Sequence, residues 1–380
     1  MRALRLILAL LFAVLGTASA TAASSWPFWD HYAAHFLDPE GRIVDPSRNS
    51  MTTSESQSYA MFFSLVANDM ASFERIRSWT EENLAGGDLS KHLPAWSWGK
   101  HDDGSMGVLD QNSAADSDLW IAYDLIEAGS LWKHAEYSRT GAAMLAQIEK
   151  EEVAQIPHIG PVLLPGREGF TPKPDQWLLN PSYLPLPLLI ACSHAASNGP
   201  WKEMALVLPN WLQQASPEGF AMDWVEYTDG KGFSAVSDPG NSSQAARGSY
   251  DAIRVYLWTG MTPPEDPGAA KMLEIFAPMA HLATTRPVLP ESISPDGSPS
   301  GNAAPVSFQA ALIPFLWSSG NKLAANALQR NVMSQFDHST GLLGIEPRYY
   351  DQNLALFAIG WQEQRFRFAP DGSLRVRWKK

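Results

Sequence analysis

Three acidic residues, Glu55, Asp116 and Asp251, occur at equivalent places in three separate stretches of this 380-residue sequence. In each stretch, apolar residues recur every three or four positions, which is the spacing of an amphipathic helix. The acid therefore falls at the N-terminal end of the apolar face of each predicted helix. A carboxylate on such a face is unusual, because charge is rarely buried without a partner or a chemical task.

Acids gathered in one cleft would have a recognisable use. If the three predicted helices bring their N-termini to one end of a helical barrel, their carboxylates line a common cleft. Paired acids in a cleft rich in aromatic residues are the catalytic groups typical of enzymes that hydrolyse a glycosidic bond. Asp118 also belongs to the second stretch, but it points away from the apolar face. We interpret it as a residue that complements the helix dipole.

Aromatic residues accompany these acids. Most of the 15 tryptophans are expected in the core, but three of them lie in polar stretches with Pro or Gly that are typical of loops. Flat indole rings exposed in a cleft stack on sugar rings, so these three are candidate ligand contacts. For Tyr183, at the start of a predicted helix, an ordinary packed ring is the alternative. The candidate substrate-binding residues are Trp96, Trp98, Trp177, Tyr183, Tyr250 and Arg254.

The elements that must position these residues are mainly helices. Apolar periodicity and the positions of the 28 prolines predict about twelve of them. Joined alternately, twelve helices make six helical hairpins, with short strand-like pieces near 220–227 and 373–378. The helices are predicted near residues 26–36, 53–68, 71–85, 115–128, 130–149, 181–196, 201–214, 248–258, 266–284, 306–318, 321–335 and 350–362.

Residues 1–22 have the pattern of a secretory signal. Arg2 and Arg5 accompany an apolar run over residues 6–15, which is too short to span a bilayer, and small residues at alternate positions follow it. An uncleaved anchor is the alternative for this segment. We expect a periplasmic or secreted protein whose residues 23–380 form a single domain, a monomer without a membrane span.

Charge and cysteine content restrict the partners further. The formal net charge is −12, and loss of the two arginines in the signal takes it to −14. A chain this acidic is unsuited to binding nucleic acid through general electrostatics. The single cysteine, Cys192, excludes an internal disulfide and lies in an apolar stretch that predicts burial. His31 and His35 are one helical turn apart, but nothing completes a ligand set, so we expect no metal and no other cofactor.

Six short motifs together resemble glycoside hydrolase family 8, over nearly the whole mature chain. Each motif is weak alone, but their order and spacing are specific. Within the family, the sequence is most similar to the endo-β-1,4-glucanases that accompany bacterial cellulose synthase. The motifs are TSE at 53–55, WSWG at 96–99, AADSD at 114–118, NPSY at 180–183, YDAIR at 250–254 and YYDQN at 349–353.

The resemblance implies an (α/α)6 barrel with an open cleft, and an inverting hydrolysis of a β-1,4-glucan chain in support of cellulose synthesis and export. It implies that Glu55 is the general acid, that Asp251 is the general base, and that Asp116 holds the sugar and helps to place the water. Exchange of Asp116 and Asp251 as base is the alternative. Ser56, Ala115 and Ser117 depart from the usual family residues, but all three carboxylates are retained.

These roles need different protonation states near neutral pH. A helix N-terminus lowers the pKa of a carboxyl group, so desolvation by Tyr59 and repulsion from Asp116 must raise the pKa of Glu55. Arg254 lies three residues after Asp251 on the same helix face and favours the ionised form of Asp251. We therefore expect a protonated acid and an ionised base, roughly 6.5–9.5 Å apart.

Three alternative functions stay open from the sequence. A family relative could act on xylan, chitosan or mixed-linkage glucan, because such enzymes differ in the loops that line their subsites. A polysaccharide lyase on a similar helical toroid is disfavoured by the acidity of the chain, which would repel a polyuronate substrate. A non-catalytic glucan-binding component of cellulose export would use the same stacking aromatics but would not need the acids.

Overall fold

The structure is a computed structural model that describes residues 26–379, in which helices predominate. The signal sequence expected at residues 1–22 lies outside this range. Within it, the thirteen α-helices are α1 (Pro27–Phe36), α2 (Ser54–Ala67), α3 (Met70–Leu84), α4 (Ala115–Leu131), α5 (Ala135–Glu151), α6 (Leu186–Ala195), α7 (Trp201–Ala215), α8 (Ala252–Met261), α9 (Pro267–Ile275), α10 (Ala277–Thr285), α11 (Val306–Ser318), α12 (Lys322–Met333) and α13 (Tyr349–Gln362).

All twelve predicted helices are present, with two changes that prolines explain. The segment predicted as one helix at 266–284 is divided at Phe276 into α9 and α10, and Pro278 lies in the first turn of the second helix. The segment predicted at 181–196 begins with a short 3-10 turn, Pro181–Tyr183, and becomes α-helical only at Leu186. A proline lacks the backbone N–H that would continue a helix from the preceding turn.

The helices form two concentric rings. The helices α2, α4, α6, α8, α11 and α13 are largely buried and form the inner ring. Each has an outer neighbour that buries only one face, namely α3, α5, α7, α9, α12 and α1. A helix that is apolar all round must be covered on every side, whereas an amphipathic helix faces water. The predicted (α/α)6 barrel is confirmed.

Large aromatic rings close the inner ring at its centre. Phe357 of α13 lies 5.0 Å from the ring of Tyr59 in α2, 5.2 Å from Trp120 in α4 and 5.2 Å from Trp258 in α8. Such pairs contribute about 0.5–1.5 kcal/mol each beyond the area that they bury. The first and last inner helices are therefore joined through the middle of the barrel, which holds their N-terminal ends in one place.

Short strands lie between the helices and form six small antiparallel sheets within the described residues. The sheets β1–β2–β3 and β6–β7–β8 lie near the carboxylates, whereas the C-terminal hairpin β13–β14 packs at the other end of the barrel. The strands predicted near 220–227 and 373–378 correspond to β7 and β14. The strands are β1 (Thr52–Thr53), β2 (Ser97–Lys100), β3 (Met106–Asp110), β4 (Val153–Ile156), β5 (Gly160–Leu163), β6 (Gln176–Leu179), β7 (Trp224–Thr228), β8 (Gly232–Val236), β9 (Pro290–Ile293), β10 (Pro299–Ala303), β11 (Phe336–Asp337), β12 (Leu342–Leu343), β13 (Phe366–Phe368) and β14 (Leu374–Val376).

One hydrophobic core extends through the described residues, from Trp26 to Val376. Cys192 is buried in it, as its apolar neighbours predicted. Between residues 26 and 379, no helix is long and apolar enough to cross a membrane.

Candidate active site

The N-terminal ends of three inner helices meet at one end of the barrel. Glu55 is the second residue of α2, Asp116 is the second residue of α4, and Asp251 immediately precedes α8. All three carboxylates contact the guanidinium group of Arg254. The predicted gathering of these acids in one place is therefore confirmed.

Arg254 is buried at the centre of this cluster. Its Nη1 donates to Oε2 of Glu55 at 2.5 Å and to Oδ2 of Asp116 at 3.2 Å. Its Nη2 donates to Oδ1 of Asp251 at 2.8 Å. One cation thus faces three carboxyl groups, and in surroundings poor in water this imbalance favours a bound proton on the cluster.

Neutral hydroxyl groups complete the surroundings of the cluster. The guanidinium of Arg254 donates to Tyr59 at 3.1 Å and to Ser182 at 3.0 Å. Tyr349, the first residue of α13, donates its hydroxyl to Oε1 of Glu55 at 3.3 Å. Arg254 thus joins Glu55 of α2 and Asp116 of α4 to α8, and Tyr349 joins Glu55 to α13.

Local hydrogen bonds at the N-terminal ends of the helices fix the orientation of the carboxylates. Thr53 and Ser56 form a capping box, each accepting the other's backbone N–H at 3.1 Å, so the chain on either side of Glu55 is fixed. Oδ1 of Asp116 accepts from the backbone N–H of Ser117 at 2.8 Å and from its hydroxyl at 3.2 Å. Two of the residues that depart from the family pattern, Ser56 and Ser117, thus bind next to the acids.

Burial raises the pKa of all three carboxyl groups above their ordinary values. For Glu55, the charge of Arg254 opposes the rise in pKa, and the charges of Asp116 and Asp251 add to it. For Asp251, Arg254 and the side chain of Asn180 oppose the rise. The raised pKa expected for Glu55 is confirmed. The expected contrast with Asp251 is not found, because burial acts on both.

The partner predicted for Asp251 is present but shared. Arg254 was expected to favour the ionised form of Asp251 because of their spacing along the helix, and that ion pair exists. The contact of the same guanidinium with Glu55 is shorter, however. Sequence spacing therefore predicted the contact of Arg254 with Asp251. The contact of Arg254 with Glu55 joins two different helices and follows only from the fold.

Asp118 lies in the first turn of α4, where an acid can complement the helix dipole, but the expectation that it points away from the buried face is wrong. It is fully buried, as is the nearby Glu152. Burial raises the pKa of Asp118 well above its usual range, and the Glu152 carboxyl adds to the rise. Glu152, in turn, has its pKa raised to about 8 by burial and accepts from the hydroxyl of Ser113 at 2.5 Å. The pair lies near Asp116, whose charge adds to the rise in the pKa of both groups.

Two small cavities flank Tyr250, which is partly exposed. The first, of about 220 Å³, is lined by Glu55, Tyr250, Tyr349 and Tyr350, among others. The second, of about 160 Å³, is lined by Asp251, Tyr250 and Trp224, among others. Glu55 and Asp251 therefore open onto different sides of the same tyrosine.

Three of the predicted aromatic contacts lie beside the cluster. The backbone carbonyl of Trp96 accepts from the N–H of Ser54, next to Glu55, and its indole is half-buried. Tyr183 ends the 3-10 turn before α6, and its ring lies 5.7 Å from the guanidinium of Arg254. Tyr250 adjoins Asp251 and donates its hydroxyl to Glu291 at 3.0 Å.

Trp98 and Trp177 lie in strands rather than in the predicted loops. Trp98, in β2, is half-buried, and the guanidinium of Arg42 lies 4.5 Å from its ring. Trp177, in β6, is only 8% exposed and packs against Tyr227 in the core, with ring centroids 6.0 Å apart. The indole of Trp177 is thus turned into the protein, which argues against a sugar contact.

The sequence model of the glycosyl hydrolases family 8 matches residues 5–364. The chain belongs to glycosyl hydrolase family 8. An endoglucanase from Salmonella typhi is 42% identical over 366 residues, covering 96% of this chain and 94% of that protein. An endoglucanase from Xanthomonas axonopodis pv. citri (strain 306) is 42% identical over 374 residues, covering 97% and 94%. The crystal structure of an endo-1,4-D-glucanase from Vibrio fischeri ES114 superposes with a TM-score of 0.86 at 38% identity, covering 94% and 100%.

Asp223 also lies at the site of this family 8 glycoside hydrolase, although no sequence pattern singled it out. Asp223 lies just before β7, and its Oδ1 accepts from three backbone N–H groups, those of Ser249 at 2.7 Å, Asp251 at 3.1 Å and Ala252 at 2.8 Å. It thereby caps the start of α8 and holds Asp251 in place. No local pattern could reveal this contact, because Asp223 lies far from α8 in the sequence.

Aromatic neighbours of the site were missed for a similar reason. The rings of Trp224 and Phe170 stack in parallel, with centroids 6.0 Å apart, and Trp224 lines the cavity that contains Asp251. Tyr349 and Tyr350 belong to a motif that carried the family resemblance, but neither was singled out as a contact. The sequence placed them at the start of a predicted helix, but it did not show that they lie near Glu55.

The family 8 site is built from acids without a metal cluster. Among residues 26–379, no group of three or more His, Cys, Asp or Glu side chains is arranged to hold a metal ion.

Proposed function

We propose that this chain is an inverting endo-β-1,4-glucanase. Glu55 protonates the glycosidic oxygen as the general acid, and Asp251 removes a proton from the attacking water as the general base. Asp116 holds the sugar at the cleavage subsite and helps to place that water. The observation that carries the proposal is the contact of all three carboxylates with one guanidinium, that of Arg254, in a chain of this family.

The geometry supports inversion at the anomeric carbon. One planar guanidinium, that of Arg254, contacts Glu55 through Nη1 and Asp251 through Nη2, so the cation stands between the two carboxyl groups. Glu55 and Asp251 also open onto different sides of Tyr250. An acid on one face of the sugar and a water on the other is the arrangement that inversion requires.

Exposure favours Asp251 over Asp116 as the base. The side chain of Asp251 is 31% exposed and that of Glu55 is 23% exposed, whereas that of Asp116 is only 6% exposed. A general base must be reached by the water that it activates. Asp116 is better placed to hold a hydroxyl group of the sugar that enters the cleft.

Aromatic side chains around the cluster would bind the sugar rings. Trp96 and Tyr250 lie beside the acid and the base respectively, and Tyr183 lies beside Arg254. Trp98 is a further contact along the cleft. Rings of this kind stack on the C–H faces of pyranose units, whereas Arg254 acts mainly on the carboxylates that it joins.

The test is the release of new reducing ends from carboxymethylcellulose, with xylan, chitosan and mixed-linkage glucan measured in parallel. We expect carboxymethylcellulose to be cleaved fastest, and proton NMR of early products to show the α-anomer. Unsaturated products that absorb ultraviolet light would instead identify a lyase. A folded protein that binds glucan without cleaving it would leave only the binding role.

We further propose that the protein acts in the periplasm or outside the cell, in support of cellulose synthesis and export. The signal pattern at residues 1–22 motivates the location, and the similarity to endoglucanases motivates the substrate. Deleting the gene should change cellulose output, and Glu55→Gln should fail to restore it. Restoration by Glu55→Gln would show that binding alone suffices.

A further inference from the structure

The C-terminal hairpin carries a concentration of positive charge that the proposed activity does not use. Residues 365–379 contain five Arg or Lys residues and one acid, Asp371, in a chain whose net charge is −12. Asp371 lies at the hairpin tip and is bonded to Ser373. In the segment 373–378, whose alternation predicted a strand, the positively charged Arg375 and Arg377 alternate with apolar residues.

Alternation separates the two faces of this hairpin. Phe366 and Phe368 of β13 and Leu374 and Val376 of β14 are buried in the core. The residues between and after them are arginines, and we refer to Arg367, Arg375 and Arg377 as the arginine face. Arg375 and Arg377 are exposed, and Arg367 is partly so.

The arginine face places like charges next to one another. Arg367 and Arg375 are direct partners across the two strands, and like charges in that position are destabilising. Arg367 stacks on Trp361 at 4.1 Å and donates to the Trp361 carbonyl. Within residues 26–379, neither Arg375 nor Arg377 has a carboxylate at ion-pair distance. A bound anion would relieve this repulsion.

A cavity adjoins the arginine face and gives it an apolar floor. Its volume is about 410 Å³, within the usual range for ligand sites. Arg367, Arg375, Arg377 and Lys379 line it together with Leu131, Phe366, Leu374 and Val376, among others. Lys379 is already engaged, because it donates to the carbonyl of Leu131 at 3.0 Å at the end of α4. Arg375 and Arg377 are exposed, so their guanidinium groups are accessible to a partner.

The hairpin lies at the end of the barrel opposite the carboxylates. Trp378 donates to the carbonyl of Leu65 near the end of α2, and Glu127 near the end of α4 accepts from Leu374. Glu55 lies at the other end of α2, whose 14 residues span about 20 Å. A molecule bound at the arginine face would not occupy the catalytic cleft.

We propose that the arginine face docks a short acidic segment of a partner protein, with an apolar side chain of that segment in the adjoining cavity. Arginine forks match carboxylates in pairs. The acidity of the whole chain disfavours an extended anionic surface such as a bilayer, because the rest of the molecule would be repelled. A short segment meets only the local charge, since screening at physiological salt acts beyond about 8 Å.

The experiment uses the full mature chain and a fluorescent ten-residue peptide of alternating Glu and Leu. Arg375→Glu/Arg377→Glu removes the exposed part of the arginine face. Arg139→Glu/Arg286→Glu is the matched control, because it changes the net charge equally at two exposed arginines elsewhere. We expect the first variant to raise the peptide Kd by about tenfold or more and the second to leave it nearly unchanged.

Three further readings decide the outcome. Binding should weaken with salt, and the same peptide with Gln in place of Glu should not bind. Both variants should keep wild-type activity on soluble glucan, which shows that they are folded. The proposal is overturned if the wild type does not bind the peptide, if both variants lose binding equally, or if anionic lipid vesicles bind the arginine face and the peptide does not.

Discussion

Nη1 of Arg254 lies 2.5 Å from Oε2 of Glu55, closer than Nη2 of Arg254 lies to Asp251, its neighbour on the same helix. The residue proposed as general acid is thus in contact with a cation, which by itself lowers the pKa of that acid. Burial outweighs this effect, and the pKa of Glu55 is raised. The balance between burial and Arg254 is therefore central to how the site would operate.

Removing that cation should move the pH profile. Arg254 lowers the pKa of both Glu55 and Asp251, so Arg254→Gln should raise both. The acid limb of kcat/KM, set by ionisation of the base, and the alkaline limb, set by deprotonation of the acid, should both move to higher pH. Arg254→Lys keeps the charge and should move them less. Initial rates over a pH series provide the test, and unchanged limbs in folded Arg254→Gln would contradict it.

The acid and the base should each be indispensable for turnover. Glu55→Gln and Asp251→Asn should each lower kcat by about 10²–10⁴-fold, because an inverting enzyme has no covalent route around a missing group. Asp102→Asn, at an exposed position, is the control and should keep full activity. Thermal melts show whether each variant is folded. A folded Glu55→Gln protein with wild-type kcat would remove Glu55 from the mechanism.

Azide should distinguish the two candidates for the base. A small anion occupies the space left by a removed base and attacks the anomeric carbon directly. We expect azide to restore turnover to Asp251→Ala, with a glycosyl azide of inverted configuration as product, and not to Asp116→Ala. Rescue of Asp116→Ala alone would assign the base to Asp116 and leave the hydrolase activity intact.

Asp223 should act on turnover through the position of Asp251. Asp223→Ala removes the acceptor of three backbone N–H groups, and loss of a cap of this kind costs about 0.5–2 kcal/mol of stability. We expect a fall in kcat with little change in KM. Asp223→Asn keeps a side-chain oxygen and should restore most of the activity, whereas equal losses in both variants would point to the charge of Asp223 instead.

Glu127 should make the stability of the protein depend on pH. Burial raises its pKa from 4.5 to about 7, and the charge of Asp371 adds to the rise. A carboxyl group whose pKa is raised in the folded state binds protons that the unfolded chain releases, so stability is lost as pH rises from about 4.5 to 7. The loss is on the order of 3 kcal/mol.

Glu127→Gln should remove the contribution of Glu127 to the pH dependence while keeping an acceptor for the N–H of Leu374. Its melting temperature should exceed that of the wild type at pH 8 and differ little at pH 4.5. Glu82→Gln, at an exposed position, is the control and should follow the wild type. A Glu127→Gln variant that melts at the wild-type temperature at pH 8 would show that the carboxyl is ionised there without cost.

The sequence by itself determined the helices and the acids at their ends. Apolar spacing is a local property, so it predicted the α2, α4 and α8 segments and placed Glu55, Asp116 and Asp251 at or near their first turns. Apolar periodicity did not show where prolines interrupt a helix. One predicted helix is divided at Phe276 into α9 and α10, with Pro278 in the first turn of α10. The six family motifs together predicted the (α/α)6 barrel and the roles of the three acids, which no single motif could indicate.

Only the tertiary structure decided which groups share a contact. The bond from Arg254 to Glu55 joins residues on different helices, and the cap that Asp223 places on α8 comes from the strand region before β7. Trp177 was expected in a loop but lies in β6 against Tyr227. Contacts of this kind form only when the helices pack into a closed ring. The spacing of residues along the chain does not show which helices become neighbours in that ring.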